Sequence, residues 1–111
     1  MTVRIDDPRA ALLLVDVQVD FCPGGALAVA EGDAVVPVLN RWTRAFLAAE
    51  RPVFASRDWH PAASAHFAAG GGPWPPHCIQ GTPGADFHPA LAWTKAQLVI
   101  RKGFRAPIDS Y

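Results

Sequence analysis

Six consecutive apolar residues, Ala10 to Val15, run directly into an acid at Asp16. A short apolar run without alternation predicts a strand buried on both faces, as in a parallel sheet. A loop follows over Val17 to Gly32, punctuated by Pro23-Gly24-Gly25. From Asp33 to Glu50 the apolar positions switch to helical spacing, and Val35, Val38/Leu39, Trp42, Phe46 and Ala49 form one face. Asp33 is the expected N-cap, and Pro37 falls near the first turn, where proline does least harm. Pro52 closes the helix, and Val53 to Ser56 predicts a second strand. Arg57 to Pro89 is long, irregular, rich in proline and glycine, and holds all four histidines. A loop of that length in a compact domain is functional or disordered, and its aromatics and histidines favour function. Leu91 to Ala96 predicts a short helical turn, and Gln97 to Arg101 a third strand.

The order strand, helix, strand, long loop, strand predicts an α/β fold, a Rossmann-like parallel sheet flanked by helices. Ligands of open parallel sheets bind beyond the carboxyl ends of the strands. Asp16, Asp58 and Lys102 fall at those places, one after each predicted strand, and so point to a shared site.

Composition narrows the class. The 111 residues make one domain at most, and ten basic residues cancel ten acidic ones. That balance lacks the basic footprint of nucleic-acid binding and the polybasic patch of membrane attachment. The longest apolar run is far short of a membrane span, and the N-terminus lacks the apolar core of a signal peptide. Two cysteines make no disulfide framework, so a soluble cytoplasmic protein is expected. A chain this small buries only about 60–65% of its unfolded surface. Three strands and one helix would leave an apolar sheet edge and face open. The chain therefore reads as the N-terminal portion of a larger domain.

Asp58 and His60 stand at i and i+2 and point the same way from an extended segment, so they can share one ion. His66 and His77 join them only if the loop folds back. Carboxylate and imidazole together suit Zn, Fe or Mn; four unrelated loop histidines are the alternative. Asp16 ends a buried run, where an ionised carboxylate needs a partner, and Lys102 is the natural one. Such a couple can serve as a proton acceptor with its counter-charge, or be an ordinary ion pair at a sheet's edge. His88 is expected to be structural.

Four segments carry a resemblance: Asp16-Val-Gln-Val-Asp-Phe-Cys-Pro-Gly-Gly25, Arg57-Asp-Trp-His60, Trp74-Pro-Pro-His-Cys-Ile-Gln-Gly-Thr-Pro-Gly-Ala-Asp-Phe-His-Pro89 and Arg101-Lys-Gly103. In this order they resemble the nicotinamidase/pyrazinamidases, within the isochorismatase-like cysteine hydrolases. The resemblance implies the isochorismatase-like hydrolase fold and an amidase that converts nicotinamide or pyrazinamide to the free acid and ammonia in NAD salvage. By the same resemblance, Asp16 is the catalytic acid and Lys102 the catalytic lysine. Asp58, His60 and His77 are metal ligands, with His66 a further ligand found in some members. Phe21 and Trp74 flank the substrate ring, and Gln18 and Asp20 are structural or stand behind the residues that line the site. One divalent ion is implied, zinc first, with iron or manganese as alternatives. It would seat the ring nitrogen of the substrate rather than create the nucleophile.

The chain departs from that pattern in one respect: the family's nucleophilic cysteine lies well beyond the lysine. Cys22 sits in the loop after Asp16, and Cys78 adjoins a metal ligand and reads as a packing residue; neither is expected to substitute. Three readings compete: a cysteine amidase completed by a C-terminal part or chain, an inactive metal-binding fragment, and a metal–water hydrolase with Asp16 as base. Homo-oligomerisation is a further way to complete the fold.

Overall fold

The computed structural model describes residues 4–92 and 98–107. Strand β1 spans Leu12–Val15, helix α1 Val35–Ala48, strand β2 Val53–Asp58 and strand β3 Leu98–Lys102. The strands form one parallel sheet in the order β1-β2-β3. The α/β class and the three strands are as the pattern predicts, although β2 runs on to Asp58. Most of the predicted turn at 91–96, and Gln97, lie outside the described residues.

One face of the sheet is a true core. Leu14, Val53 and Ala55 pack there with Val17, Val36, Phe46 and Leu91. Leu12, Leu39, Trp42 and Phe87 close its margin. Leu39, Trp42 and Phe46 pack on the core as expected, with Val36 and Thr43 buried beside them, while Val35 and Val38 are 47% and 42% exposed. Gly32–Ala34 form a 3-10 turn, and the helix begins at Val35 with no side-chain cap, so the expected Asp33 cap is not made. Pro37 sits in the first turn, where no intrahelical N–H is lost.

The opposite face corrects the expectation of a strand buried on both sides. The register aligns Leu13 with Phe54 and Leu98, and Val15 with Ser56 and Ile100. Of these, Leu13, Val15, Leu98 and Ile100 are 53%, 59%, 59% and 49% exposed. Among the described residues no second layer covers this row, and β1 keeps a free edge. The same face carries Asp58 and Lys102 at its carboxyl end, two and four residues beyond the Ser56 and Leu98 positions. No helix of the described residues is long and apolar enough to cross a membrane.

Candidate active site and metal centre

β1 ends where the chain turns aside. Asp16 donates its N–H to the Ser56 carbonyl (3.1 Å) and then adopts φ 53°, a left-handed conformation that aspartate tolerates better than bulkier residues. Its carboxylate is thereby held at the carboxyl end of the sheet. There Lys102 Nζ lies 2.7 Å from Asp16 Oδ2 and 2.6 Å from Asp58 Oδ1. The lysine thus bridges two carboxylates. Sequence reasoning anticipated the contact with Asp16 but missed the one with Asp58. Its signal was available: Asp58 and Lys102 follow the second and third predicted strands, and parallel pairing of those strands in register makes them adjacent. Ser56, also missed, donates its hydroxyl to Asp16 Oδ1 at 2.9 Å. Its place two residues before Asp58, on the same face, was the available clue. Burial lowers the lysine pKa, but its bonds to Asp16 and Asp58 outweigh this and hold it above the ordinary value. Lys102 is therefore protonated throughout the neutral range.

The long loop does fold back. Asp58, His60 and His77 are almost fully buried, and His66 is 6% exposed. His60 is placed by a parallel bridge to Ile79, which carries the 77–80 segment alongside it. His66 comes in beside it, its ring centroid 4.2 Å from that of His60. One ligand atom from each of His60, His66 and His77 lies within 4.8 Å of the others. Asp58 Oδ2 stands 3.3 Å from His60 Nε2 and 3.8 Å from His77 Nε2.

The ring orientations test whether this set fits a cation. His60 Nδ1 bonds the Gly103 carbonyl at 2.9 Å, and His77 Nδ1 bonds the Pro75 carbonyl at 2.8 Å. A carbonyl only accepts, so each Nδ1 carries the hydrogen and each neutral ring turns an Nε2 lone pair inward. Both Nε2 atoms are buried without a hydrogen-bond partner among the described residues. Buried lone pairs converging on one carboxylate oxygen are the donor set that a tetrahedral Zn²⁺ site uses. Burial lowers the His77 pKa, which keeps that lone pair available. At His60 burial also acts downward, but the Asp58 carboxylate and the Gly103 carbonyl raise the value overall.

Phe21, Leu27, Trp74 and His77 line a cavity of about 370 Å³ against this cluster. The Phe21 ring lies 5.6 Å from the His77 ring, so the two predicted aromatics and one histidine share a wall. His88 stands apart and accepts the Ala90 N–H (3.1 Å) through Nδ1.

Neither cysteine is built as a nucleophile. Cys22 and Cys78 are buried. Burial raises both thiol pKa values, far up at Cys78, where Asp58, Asp20 and Asp16 add to the effect. The thiolate is the reactive form. Iodoacetamide at pH 7.5 is therefore expected to leave both thiols unmodified in the native chain and to label both in urea, as read by intact mass. Fast native labelling of either would contradict this environment.

The Isochorismatase domain family matches residues 10–107. The nicotinamidase of Escherichia coli is 43% identical over 94% of this chain and 56% of its own length. Among solved structures, the zinc complex of the pyrazinamidase of Pyrococcus horikoshii superposes with a TM-score of 0.86 at 42% identity, over 90% of this chain and 55% of that one. PnC1 from L. infantum, solved in complex with nicotinate, gives 0.84 at 39% identity, over 99% of this chain and 54% of that one. The chain spans about half the length of the relatives it matches.

Proposed function

This chain belongs to the isochorismatase domain family, and from that premise we propose that it carries the acid, lysine and metal-binding part of a cytoplasmic amidase acting on nicotinamide and pyrazinamide. The observation that carries this reading is the bridge made by Lys102. One ammonium joins the Asp16 carboxylate to the Asp58 carboxylate, and so joins a proton-relay couple to a buried Asp–His cluster.

Asp58, His60, His66 and His77 would hold one divalent ion, zinc by the chemistry of the donors. When bound, the ion supplies a Lewis-acidic seat for the ring nitrogen of the azine. Phe21 and Trp74 sandwich the ring and exclude water, which sets the carboxamide in one orientation. Asp16, paired with Lys102 and hydrogen-bonded by the Ser56 hydroxyl, accepts the proton of a cysteine thiol. The thiolate bonds to the carboxamide carbon, Asp16 returns the proton to the amide nitrogen as the C–N bond breaks and ammonia departs, and water then hydrolyses the thioester to the free acid and the thiol.

The cysteine comes from a segment beyond these 111 residues. Three observations support this: both cysteines here are buried with raised pKa values, the relatives are nearly twice as long, and β1 offers an open edge and face. An apolar hollow of about 400 Å³ beside Asp16, lined by Val15, Val17, Phe21, Val29 and Val35, gives such a segment a seat.

A chimera tests the reading: this chain replaces the part of the Escherichia coli relative that aligns with it. Ammonia release from nicotinamide is expected from the chimera and not from the 111-residue chain alone. A folded, metal-loaded chimera without activity would favour an inactive metal-binding fragment. Activity of the short chain that survives cysteine alkylation would favour a metal–water hydrolase.

A further inference from the structure

The turn after β1 carries a buried amide to which the amidase reading gives no defined contact. Gln18 is 0% exposed. Its Nε2 donates to the carbonyls of Asp58 (2.8 Å) and Ala85 (2.9 Å), and its Oε1 accepts the Asp58 N–H (2.8 Å). One side chain thus takes up both backbone polar groups of a single residue. The ladder explains why. β1 pairs with β2 as far as Val15 and Ser56, then turns away at Asp16, while β2 continues to Asp58. On its other flank β2 stays paired, with Trp59 N–H on the Lys102 carbonyl at 3.0 Å. The side of Asp58 that faces β1 would be left unpaired in the interior, and the Gln18 carboxamide fills in for the absent strand residue. Its third bond, to Ala85, ties the same point to the loop that returns from His77.

Asp20 makes a parallel attachment. Its Oδ2 accepts the N–H of Cys78 (2.8 Å), the residue after His77, and its Oδ1 accepts that of Ala26 (3.1 Å). Gly84 permits this approach, since a Cβ there would come within 2.1 Å of Asp20 Oδ2. Two side chains of one turn therefore grip the backbone at Asp58 and beside His77.

We propose that Gln18 is a positioning residue for the metal centre, fixing the Asp58 backbone so that its carboxylate is aimed before any ion arrives. This rests on the metal-site reading above. Groups that orient metal ligands are worth about 10–100-fold in affinity, and Gln18 does so through the main chain rather than through the ligand's side chain.

Zn²⁺ affinity of the full chain, measured by competition with a chromophoric chelator, tests this in the wild type, Gln18→Leu and Val53→Ala. Gln18→Leu removes all three bonds at similar volume and is expected to weaken Zn²⁺ binding by about 10–100-fold. Val53→Ala loosens the core at the other end of β2 and is expected to lower the melting temperature while leaving affinity within about threefold. Equal losses in both variants, or none in Gln18→Leu, would overturn the role of Gln18. A wild type that binds no Zn²⁺ would instead overturn the metal site. A measurement on the unmutated chain covers a Gln18→Leu that fails to fold. The Gln18 side-chain amide resonances are expected to shift in step with Zn²⁺ binding, and their constancy would defeat the proposal.

Discussion

Asp58→Ala is expected to lower Zn²⁺ affinity about a thousandfold, the largest single effect on this site. The carboxylate is 0% exposed and touches three cationic or metal-binding groups: Lys102 Nζ, His60 Nε2 and His77 Nε2. It is the carboxylate that stands against the inward-facing Nε2 atoms of His60 and His77, so its removal leaves a divalent ion facing neutral nitrogens and one ammonium. Breaking a buried charged pairing costs about 3–5 kcal/mol, and about 4 kcal/mol is three decades of affinity. Equilibrium dialysis with elemental analysis reads the result. One equivalent of zinc held at wild-type affinity would remove Asp58 from the ligand set. Asp58→Asn should fare little better, because the amide keeps the shape but not the charge.

Lys102→Met is expected to have the second largest effect, and on two properties at once. The methionine keeps the apolar stem and deletes the ammonium that separates Asp16 from Asp58. Two carboxylates then face each other at a partly buried site with no counter-charge. A loss of about 3 kcal/mol in stability follows, at the lower end for a broken buried pair because the lysine side chain is 26% exposed. Urea unfolding should show a lower midpoint with an unchanged slope. In the chimera, ammonia release should fall by about 10²–10⁴-fold, the usual worth of a positioned proton-transfer group. Full activity with lowered stability would make Lys102 structural only. Unchanged stability would mean that the carboxylates find another partner.

The two effects are separable because the lysine serves both carboxylates. Asp58→Ala leaves the Asp16–Lys102 pair in place, so its loss should appear first in metal binding. Lys102→Met leaves the histidines and Asp58 in place, so it should appear first in stability and turnover.

Much of the sheet was legible in the chain. The unalternating run before Asp16, the helical spacing after Asp33 and the run before Lys102 specify three strands and a helix, because burial on a sheet and burial on a helix demand different periods. The placement of Asp16, Asp58 and Lys102 after those strands already directs them to one end. What failed is instructive. At the helix start Val36 rather than Val35 is buried and Asp33 makes no cap, while Leu39, Trp42 and Phe46 pack as the spacing predicts. Burial of both sheet faces was expected from Leu13 and Val15, yet apolarity states only what a residue would gain by being covered, not that a layer covers it.

The local sequence thus determined the element order, the α/β class and the residue types able to bind a cation or relay a proton, since these follow from periodicity and side-chain chemistry. It did not determine that His66 and His77 meet His60, that Lys102 reaches Asp58, or that Gln18 completes the ladder at Asp58. Those contacts span 6 to 44 residues of chain, and they exist because the loop returns along the 60–79 bridge and the strand ends align in register. Distance along the chain carries no information about such closures; only packing, which satisfies buried polar groups together, brings them about.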